Sequence, residues 1–452
     1  MRNLLLVLVT LLLTGWSNAT PVSEDGPADG IYAFVNVNVV PMDTERVLSA
    51  QTVIVENGRI KEVGAASDVK IPEGAVEIDG SGKYLMPGLA EMHGHIPPPN
   101  QPQEYVESVL YMYVANGITT VRGMLGHPGQ LDIKKKANAS EIVAPTLYLA
   151  GPSFSGGSIS SPEQAIEKVR RQKEEGWDLL KVHPGLSVEE YDAMANTANE
   201  VGIRFGGHVP SEVGLAHAIE KGQETFDHID GYTTFVNGNS ELASDDAIAE
   251  VVNMTVESGT WVVPTMVLWE VLFGVMPMSG VQDLPELKYM PPPIVQNWIN
   301  NHRMRLASPN LNKAASKNRI ENRNRILAAL NDAGGRILMG TDAPQQFSVP
   351  GFSIHLELER MVEIGMSPYE VFKTGTVNVG EYFKNQDTFG LVAEGHRADL
   401  ILVDGNPLES VGIIRNPSGV MARGVWLSKS DIDKELANIE ARAGGMSLQN
   451  SF

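Results

Sequence analysis

One stretch of the chain reads Tyr84-Leu85-Met86-Pro87-Gly88-Leu89-Ala90-Glu91-Met92-His93-Gly94-His95. Its apolar run predicts a buried β-strand, and two histidines stand where that strand ends. Side chains two residues apart on a strand point to the same side, so His93 and His95 can reach one metal ion. Gly94 between them carries no side chain, which lets the backbone lie close to a bound ion or substrate. The stretch therefore predicts a metal site at the C-terminal end of a strand.

Further residues with metal-ligand chemistry stand at the ends of other strand-like runs, and they are Lys181, His208, His228 and Asp342. Helical patterns separate these runs through most of the chain. The predicted strands cover residues 84–95, 119–124, 146–151, 178–183, 204–208, 225–228, 261–266 and 336–342. Eight strands with helices between them predict an α/β fold, a (β/α)8 TIM-like barrel whose active site lies at the C-terminal strand ends. The candidate ligands fall at or near those ends.

Both flanks of the predicted barrel read as a small β-domain. Short alternating strands are broken by turn signals such as Asn57-Gly58 in the N-terminal flank, and a similar pattern returns near the C-terminus. The predicted domains are a discontinuous β-sandwich over 30–82 and 387–428, the catalytic barrel over 83–386 and a helical tail over 429–452. Between the seventh and eighth strands, the insertion 268–317 either roofs the active site or packs against a neighbouring helix or a dimer partner.

The N-terminus predicts export. Arg2, an apolar run over 4–13 and small residues up to Ala19 have the layout of a signal peptide over 1–19, and the run is too short to span a bilayer. We expect cleavage near Ala19 and a periplasmic or secreted protein that has no membrane association afterwards. The net charge of -20 argues against nucleic acid or anionic lipid as a partner. The chain has no cysteine, which excludes disulfides and thiolate metal ligands.

At its motifs the chain resembles the amidohydrolase superfamily, specifically the branch of imidazolonepropionase-like and prolidase-like metal-dependent hydrolases. The segments that carry the resemblance are Met86-Pro87-Gly88-Leu89 with His93-Gly94-His95, then residues 117–122, 178–182, 207–210, 227–228, 340–343 and 394–403. The resemblance implies two divalent ions, zinc or else manganese. It implies that one ion is bound by His93, His95 and Asp342 and the second by His208 and His228. By the same resemblance Lys181 is carboxylated by CO2 and bridges the two ions.

Asp342 is the predicted catalytic residue. A hydroxide held between the two ions is expected to attack the substrate carbonyl. Asp342 can accept the proton of that hydroxide and hand it to the departing amine. The expected reaction is hydrolysis of a C–N bond in a small substrate, with Xaa-Pro or another dipeptide, or an N-acyl amino acid, as the best guess. Candidate substrate contacts are Arg122, His183 and Tyr232; for Arg122, an interior ion pair with an acid is the competing interpretation.

Alternatives stay open at this point. On the same site, the chain could hydrolyse a cyclic amide or a lactone. A function of another class would be an inactive barrel kept as a binding module, which the loss of a ligand would signal, and no ligand is lost. The residues leave open the identity of the metal, the choice between one ion and two, and whether the protein forms a homo-oligomer.

Overall fold

The computed structural model describes residues 30–448, so the predicted signal peptide lies outside the described residues. The strands are β1 (Ile31–Val39), β2 (Leu48–Glu56), β3 (Arg59–Ala65), β4 (Val76–Asp79), β5 (Tyr84–Pro87), β6 (Leu89–Gly94), β7 (Ile118–Gly123), β8 (Thr146–Leu149), β9 (Leu179–Val182), β10 (Arg204–Gly207), β11 (Thr225–Asp227), β12 (Trp261–Val263), β13 (Arg336–Ile337), β14 (Leu400–Val403), β15 (Gly419–Ala422) and β16 (Val425–Ser428).

The helices follow the same chain order. They are α1 (Gln103–Ala115), α2 (Gln130–Asn138), α3 (Pro162–Glu175), α4 (Val188–Val201), α5 (Leu215–Glu220), α6 (Tyr232–Phe235), α7 (Asp245–Ser258), α8 (Met266–Leu272), α9 (Pro292–Leu306), α10 (Lys313–Asp332), α11 (Ser353–Glu363), α12 (Pro368–Gly375), α13 (Val377–Tyr382) and α14 (Lys429–Gly445). Among residues 30–448, no helix combines the length and the apolar character that a membrane span needs.

Both ends of the chain build one β-domain. Its sheet has the order β16-β15-β14-β5-β1-β2-β3, with β4 paired to β1. The sheet has an apolar core of its own, in which the rings of Phe34 and Trp426 meet edge to face at 5.2 Å. Strands from the N-terminal and C-terminal flanks are hydrogen-bonded neighbours, because β5 pairs with β14.

The predicted strand over 84–95 is in fact two strands, and the β-domain extends to residue 87 rather than 82. The first piece, β5, belongs to the β-domain, whereas β6 belongs to the barrel. The chain passes from one sheet to the other at Gly88, whose N–H donates to the carbonyl of Asp399 at 2.8 Å. A side chain at Gly88 would begin 2.2 Å from the hydroxyl of Thr119, so only glycine fits this crossing.

The eight parallel strands from β6 to β13 form the predicted barrel. They pair as β6-β7-β8 and as β9-β10-β11-β12-β13, and a parallel bridge between Ala150 and Leu179 joins the two sets. The other seam is closed where the N–H of Met92 donates to Met339 at 2.8 Å and that of Asp342 donates to His93 at 2.7 Å. The barrel is therefore closed, and the (β/α)8 prediction is confirmed.

The insertion between the seventh and eighth barrel strands contacts both the candidate ligands and a neighbouring helix. Its first helix, α8, carries Trp269, whose ring lies 5.7 Å from the ring of His228. Further along, Lys288 forms an ion pair with Glu440 of α14 at 2.8 Å. One part of the insertion thus borders the candidate ligands, and another part packs against a neighbouring helix.

Candidate metal centre

The structure brings all six predicted ligands together at the C-terminal end of the barrel. The ring of His228 lies 4.4 Å from that of His93 and 4.5 Å from that of His208, measured between ring centres. Nζ of Lys181 lies 3.1 Å from Nε2 of His93. Side chains from β6, β9 and the segments after β10, β11 and β13 therefore form one cluster, as expected of a barrel active site.

His93, His95 and Asp342, here called the three-ligand group, contact each other directly. One ligand atom from each lies within 4.8 Å of the others, and all three side chains are buried. Nε2 of His95 is 2.6 Å from Oδ1 of Asp342, and Nε2 of His93 is 3.5 Å from the same oxygen. Two imidazoles and a carboxylate that converge in this way are suited to a divalent ion such as zinc.

His208 and His228, here called the two-histidine group, are each held by a residue from another segment. Nδ1 of His208 lies 2.6 Å from Oδ2 of Asp230, and Nδ1 of His228 lies 2.7 Å from the hydroxyl of Thr265. Such partners fix the orientation of a metal-ligating imidazole. Nε2 of His228 is buried and has no hydrogen-bond partner among the described residues. Because an unpaired buried nitrogen is costly, this atom fits a coordination bond to a metal.

Lys181 is fully buried beside both groups. Its Nζ is 3.9 Å from Oδ2 of Asp227. Burial lowers the pKa of Lys181 to about 8, although the charge of Asp227 acts in the opposite direction. Burial, followed by the charge of Lys181, also holds the pKa of His93 well below its usual range. The imidazole of His93 is therefore neutral at neutral pH, which is the form that binds a metal.

Two of the ligands have left-handed backbone conformations that their strands do not predict. His228 has φ 64° and Asp342 has φ 63°. Such a conformation costs roughly 1–3 kcal/mol in a residue other than glycine and is found mostly at functional sites. The turn at His228 allows two consecutive residues, Asp227 and His228, to reach the same cluster. On a regular strand they would point to opposite faces.

Glu91 supports the three-ligand group, and sequence reasoning did not identify it. Its Oε1 accepts hydrogen bonds from the backbone N–H groups of His93 at 3.0 Å and Thr341 at 2.8 Å, while Oε2 accepts the hydroxyl of Thr341 at 2.5 Å. Burial raises the pKa of Glu91 to about 8. The signal was its position two residues before His93, which places both side chains on the same side of the strand.

Asp227 is a second supporting residue that was not predicted. Its Oδ2 lies 2.8 Å from Nδ1 of His93, and its Oδ1 accepts a hydrogen bond from Nη2 of Arg122 at 3.2 Å. Burial alone would raise the pKa of Asp227, but Arg122 and Lys181 lower it below its usual value. The carboxylate is therefore ionised and can orient His93. Its position next to His228 was the available signal.

Arg122 and Tyr232 are corrected from substrate contacts to structural residues. Arg122 is fully buried, and besides Asp227 it donates from Nε to the carbonyl of Met92 at 2.6 Å. Tyr232 is also fully buried, and its hydroxyl accepts a hydrogen bond from Thr255 at 3.0 Å. Both side chains use their polar atoms within the protein, because one lies inside the barrel and the other between α6 and α7.

His183 lies at the site, in contrast to the other two candidates. Its ring stacks on that of His208 with the centres 5.0 Å apart, and its side chain is half-buried. Burial, with the neighbouring charge of Lys181, lowers the pKa of His183 to about 2. The neutral imidazole of His183 stands next to the two-histidine group, so His183 stays a candidate for contact with substrate.

Comparison with known proteins gives matches over most of the chain. The profile of the Amidohydrolase family matches residues 84–443. The ochratoxinase of Aspergillus niger is 23% identical over 458 aligned residues, which cover 86% of this chain and 84% of that protein. A dihydroorotase of Trichlorobacter lovleyi is 40% identical over 94 residues, so this match spans about a fifth, 21%, of that protein.

Solved structures show the same fold. The structure of a putative prolidase from Bifidobacterium longum superimposes with a TM-score of 0.69 at 21% identity, covering 91% of this chain and 100% of that one. The match to the family profile, over residues 84–443, spans the barrel, the C-terminal part of the β-domain and most of α14. It includes all six clustered ligands. The chain therefore belongs to the amidohydrolase family, and it is a hydrolase that acts on carbon–nitrogen bonds.

Proposed function

We propose that the protein is a binuclear metallohydrolase that cleaves the amide bond of a dipeptide, Xaa-Pro included, or of an N-acyl amino acid. The observation that carries the proposal is the single cluster formed by the three-ligand group, the two-histidine group and Lys181. Five of these six residues offer an imidazole nitrogen or a carboxylate, the atoms that zinc and manganese bind. The unpaired Nε2 of His228 adds support, because its burial is otherwise unexplained.

In this proposal the three-ligand group would hold one ion and the two-histidine group the second. The neutral amine of Lys181 would add CO2 and release a proton, which would replace the ammonium charge with a carboxylate able to serve as an oxygen ligand. Zinc is the preferred metal and manganese the alternative. When bound, the ions supply a nucleophile at neutral pH and polarise the carbonyl of the substrate.

Asp342 is the residue that moves the proton. Its Oδ1 faces Nε2 of His95 at 2.6 Å, and its Oδ2 faces Nε2 of His228 at 3.7 Å, so the carboxylate stands between these two imidazoles. From this place it can take a proton from the attacking water and give it to the leaving nitrogen. Glu91 keeps Asp342 in place, because it accepts hydrogen bonds from the backbone and hydroxyl of the preceding Thr341.

The proposed substrates are short peptides and N-acyl amino acids. The likeness to a protein described as a putative prolidase favours Xaa-Pro within this class. A cyclic amide or lactone is the second candidate substrate. The 94-residue match to a protein described as a dihydroorotase is the reason to test it. Trp269 of the insertion stands beside the site, with its ring centre 5.7 Å from that of His228.

A substrate panel tests the proposal. Dipeptides with and without C-terminal proline, N-acyl amino acids, lactones, imidazolones and organophosphate triesters would be incubated with protein prepared in zinc or in manganese. We expect amine release from the dipeptides or N-acyl amino acids, and no release by the Asp342→Asn variant. Turnover confined to lactones or triesters would refute the amide substrate, and no turnover by protein of full metal content would favour a binding module.

We also propose that the protein is exported. The support is the layout of Arg2, the apolar run over 4–13 and Ala19. N-terminal sequencing of protein recovered from the periplasm or the medium would check this. A mature chain that begins close after Ala19 is the expected result. An intact Met1 in a cytoplasmic pool would contradict it.

A further inference from the structure

Arg319 is the one arginine among residues 30–448 whose side chain makes neither a hydrogen bond nor an ion pair. Its Nε is buried, and its guanidinium lies 4.3 Å from the centre of the Phe273 ring. Other arginines with an unpaired Nε donate from their terminal nitrogens to oxygen atoms, and these are Arg323, Arg360, Arg423 and Arg442. A guanidinium has five donors and a permanent charge, so Arg319 is equipped for a ligand that the protein does not supply.

A row of aromatic rings leads from Arg319 to the metal centre. The ring of Phe273 lies 5.0 Å from that of Trp269, which lies 5.7 Å from the ring of His228. Nε1 of Trp269 is a buried donor that has no acceptor among the described residues. Two unpaired donors, a guanidinium and an indole N–H, therefore lie along one wall beside the two-histidine group.

The course of α10 places Arg319 towards the active-site face of the barrel. In a barrel of this kind the helices run opposite to the strands, so the N-terminal end of α10 is at the active-site face. Arg323 donates to the carbonyls of His228 and of Pro264, the latter at 3.0 Å. Arg319 precedes Arg323 by one helical turn, about 6 Å along the helix axis, and therefore lies nearer the active-site face of the barrel.

Asp230 is the acidic residue whose charge affects the pKa of Arg319. Burial lowers the pKa of Arg319, and the charge of Asp230 opposes this shift. Asp230 already holds Nδ1 of His208 at 2.6 Å. No ion pair joins Arg319 to Asp230 in the part of the chain that the structure describes, so the guanidinium donors of Arg319 stay available to another anion.

We propose that Arg319, with the indole N–H of Trp269, binds the free carboxylate of the amino acid that leaves in the reaction. This inference rests on the proposed function and narrows its substrates to those with a C-terminal carboxylate. Arginine matches a carboxylate with two parallel hydrogen bonds, and the Phe273 ring supports the guanidinium from 4.3 Å. Arg122 and Tyr232 were predicted to contact the substrate, but their polar atoms are used in contacts inside the protein. In this proposal Arg319 makes the contact with the substrate carboxylate instead.

Paired substrates test the proposal. Each N-acyl amino acid or dipeptide that the enzyme hydrolyses would be compared with its C-terminal carboxamide, in the wild type, Arg319→Gln and Arg319→Lys. We expect Arg319→Gln to lower kcat/KM for the acid about 10- to 100-fold, mainly by raising KM, because this is the loss that removal of a charged hydrogen bond causes. The kcat/KM for the amide should not change. Arg319→Lys should recover part of the loss. Lys317→Gln, an exposed cation of the same helix, is the matched control and should change neither.

Equal losses on the acid and the amide, or no loss on either, would overturn the proposal. Elemental analysis accompanies the kinetics, because a structural effect through Asp230 and His208 would reduce metal content, whereas a substrate contact would not. A binding measurement separates this inference from the proposed function. Calorimetric titration of N-acetyl amino acids into the wild type and Arg319→Gln needs no turnover. If binding depends on Arg319 but no hydrolysis is seen, only the proposed function is refuted. If hydrolysis shows no preference for the acid over the amide, or if no binding is seen, the inference about Arg319 is refuted.

Discussion

The three-ligand group and the two-histidine group occupy the same end of the barrel but are built differently. Asp342 lies 2.6 Å from His95, and one carboxylate, Glu91, ties together the strand ends that carry the first group. The two histidines instead depend on Asp230 and Thr265, which come from other loops. The first group is therefore positioned mainly by its own strands, with Asp227 of β11 against Nδ1 of His93, and the second by residues outside any ligand motif.

The support of the second group extends further from the metal centre. Thr265, which holds His228, has φ 45° and stands just before α8. Glu357 accepts the first N–H groups of that helix, from Met266 at 2.7 Å and from Val267 at 3.0 Å. The position of His228 is thus set by a buried acid on α11. We expect the two groups to respond differently to substitution.

Substitution of Asp342 in the first group should have the largest effect. Asp342→Asn keeps an oxygen near the metal but removes the proton acceptor, so turnover should fall by about 10²- to 10⁴-fold, the contribution of general acid–base catalysis. Metal content should fall much less than activity. Steady-state kinetics with elemental analysis of the same samples would show this. Equal and small losses of both would mean that another group carries the proton.

Lys181 joins the two groups, and its loss should weaken both. Lys181→Ala removes the proposed bridge, so we expect fewer than two ions per chain and a large loss of turnover. A short carboxylic acid added to the variant should restore part of the activity by taking the place of the bridging carboxylate. Lys168→Ala is the matched control, because Lys168 is also a largely buried lysine but contacts Phe154 and Ser153. Full turnover by Lys181→Ala would rule out the bridging role.

Thr265→Val should affect the second group alone. The substitution keeps the shape of the side chain and removes the hydroxyl that holds Nδ1 of His228, so affinity for one ion should fall about 10- to 100-fold. The ion of the three-ligand group should remain. Competition with a chelator would measure both affinities. Thr255→Val, which removes a buried hydroxyl that contacts Tyr232, is the control, and an equal effect of the two variants would show that the hydroxyl of Thr265 has no specific role.

The smallest expected effect is a change in how stability depends on pH. Burial raises the pKa of Glu357 to about 7 from an ordinary value of 4.5, so the folded protein holds this proton more tightly than the unfolded chain does. The resulting stabilisation is complete below about pH 4.5 and is lost as the pH rises through 7.

The thermal midpoint of the metal-free wild type should therefore fall more between pH 5 and pH 8 than that of Glu357→Gln, by a few degrees. Removing the metal keeps the pH dependence of metal binding from obscuring the result. Glu359→Gln, on the same helix, serves as the control. Parallel pH dependence of the wild type and Glu357→Gln would show that Glu357 is not protonated in the folded protein.

The sequence predicted the barrel and the ligands because both follow regular spacing. The histidines on either side of Gly94 lie at alternate positions at the end of β6, His95 being one residue beyond it, and strand-like runs that end in His or Asp follow the same rule. The split at Gly88 was missed because the apolar pattern continues through it. The crossing between sheets depends on Asp399 and Thr119, which are distant in the sequence.

The support of the ligands was beyond sequence reasoning for a related reason. Asp227 and His228 are neighbours, and only the left-handed turn at His228 shows that both reach the cluster. The positions of Arg122 and Tyr232 in the sequence suggested contacts with substrate. Their hydrogen-bond partners come from other helices and strands, so the sequence did not reveal them. Arg319 lies on α10, just beyond the insertion and outside any motif, and it stands out only because every other described arginine has a hydrogen-bond or ion-pair partner.

Metal stoichiometry tests the central claim most directly, since the claim is that two differently built groups each hold an ion. Elemental analysis would be applied to the wild type and to a variant in which His208 and His228 are both alanine. The account predicts about two ions per chain in the wild type and about one in the variant, retained by His93, His95 and Asp342. One ion in each protein would show that the two-histidine group is not a metal site and would contradict the binuclear account.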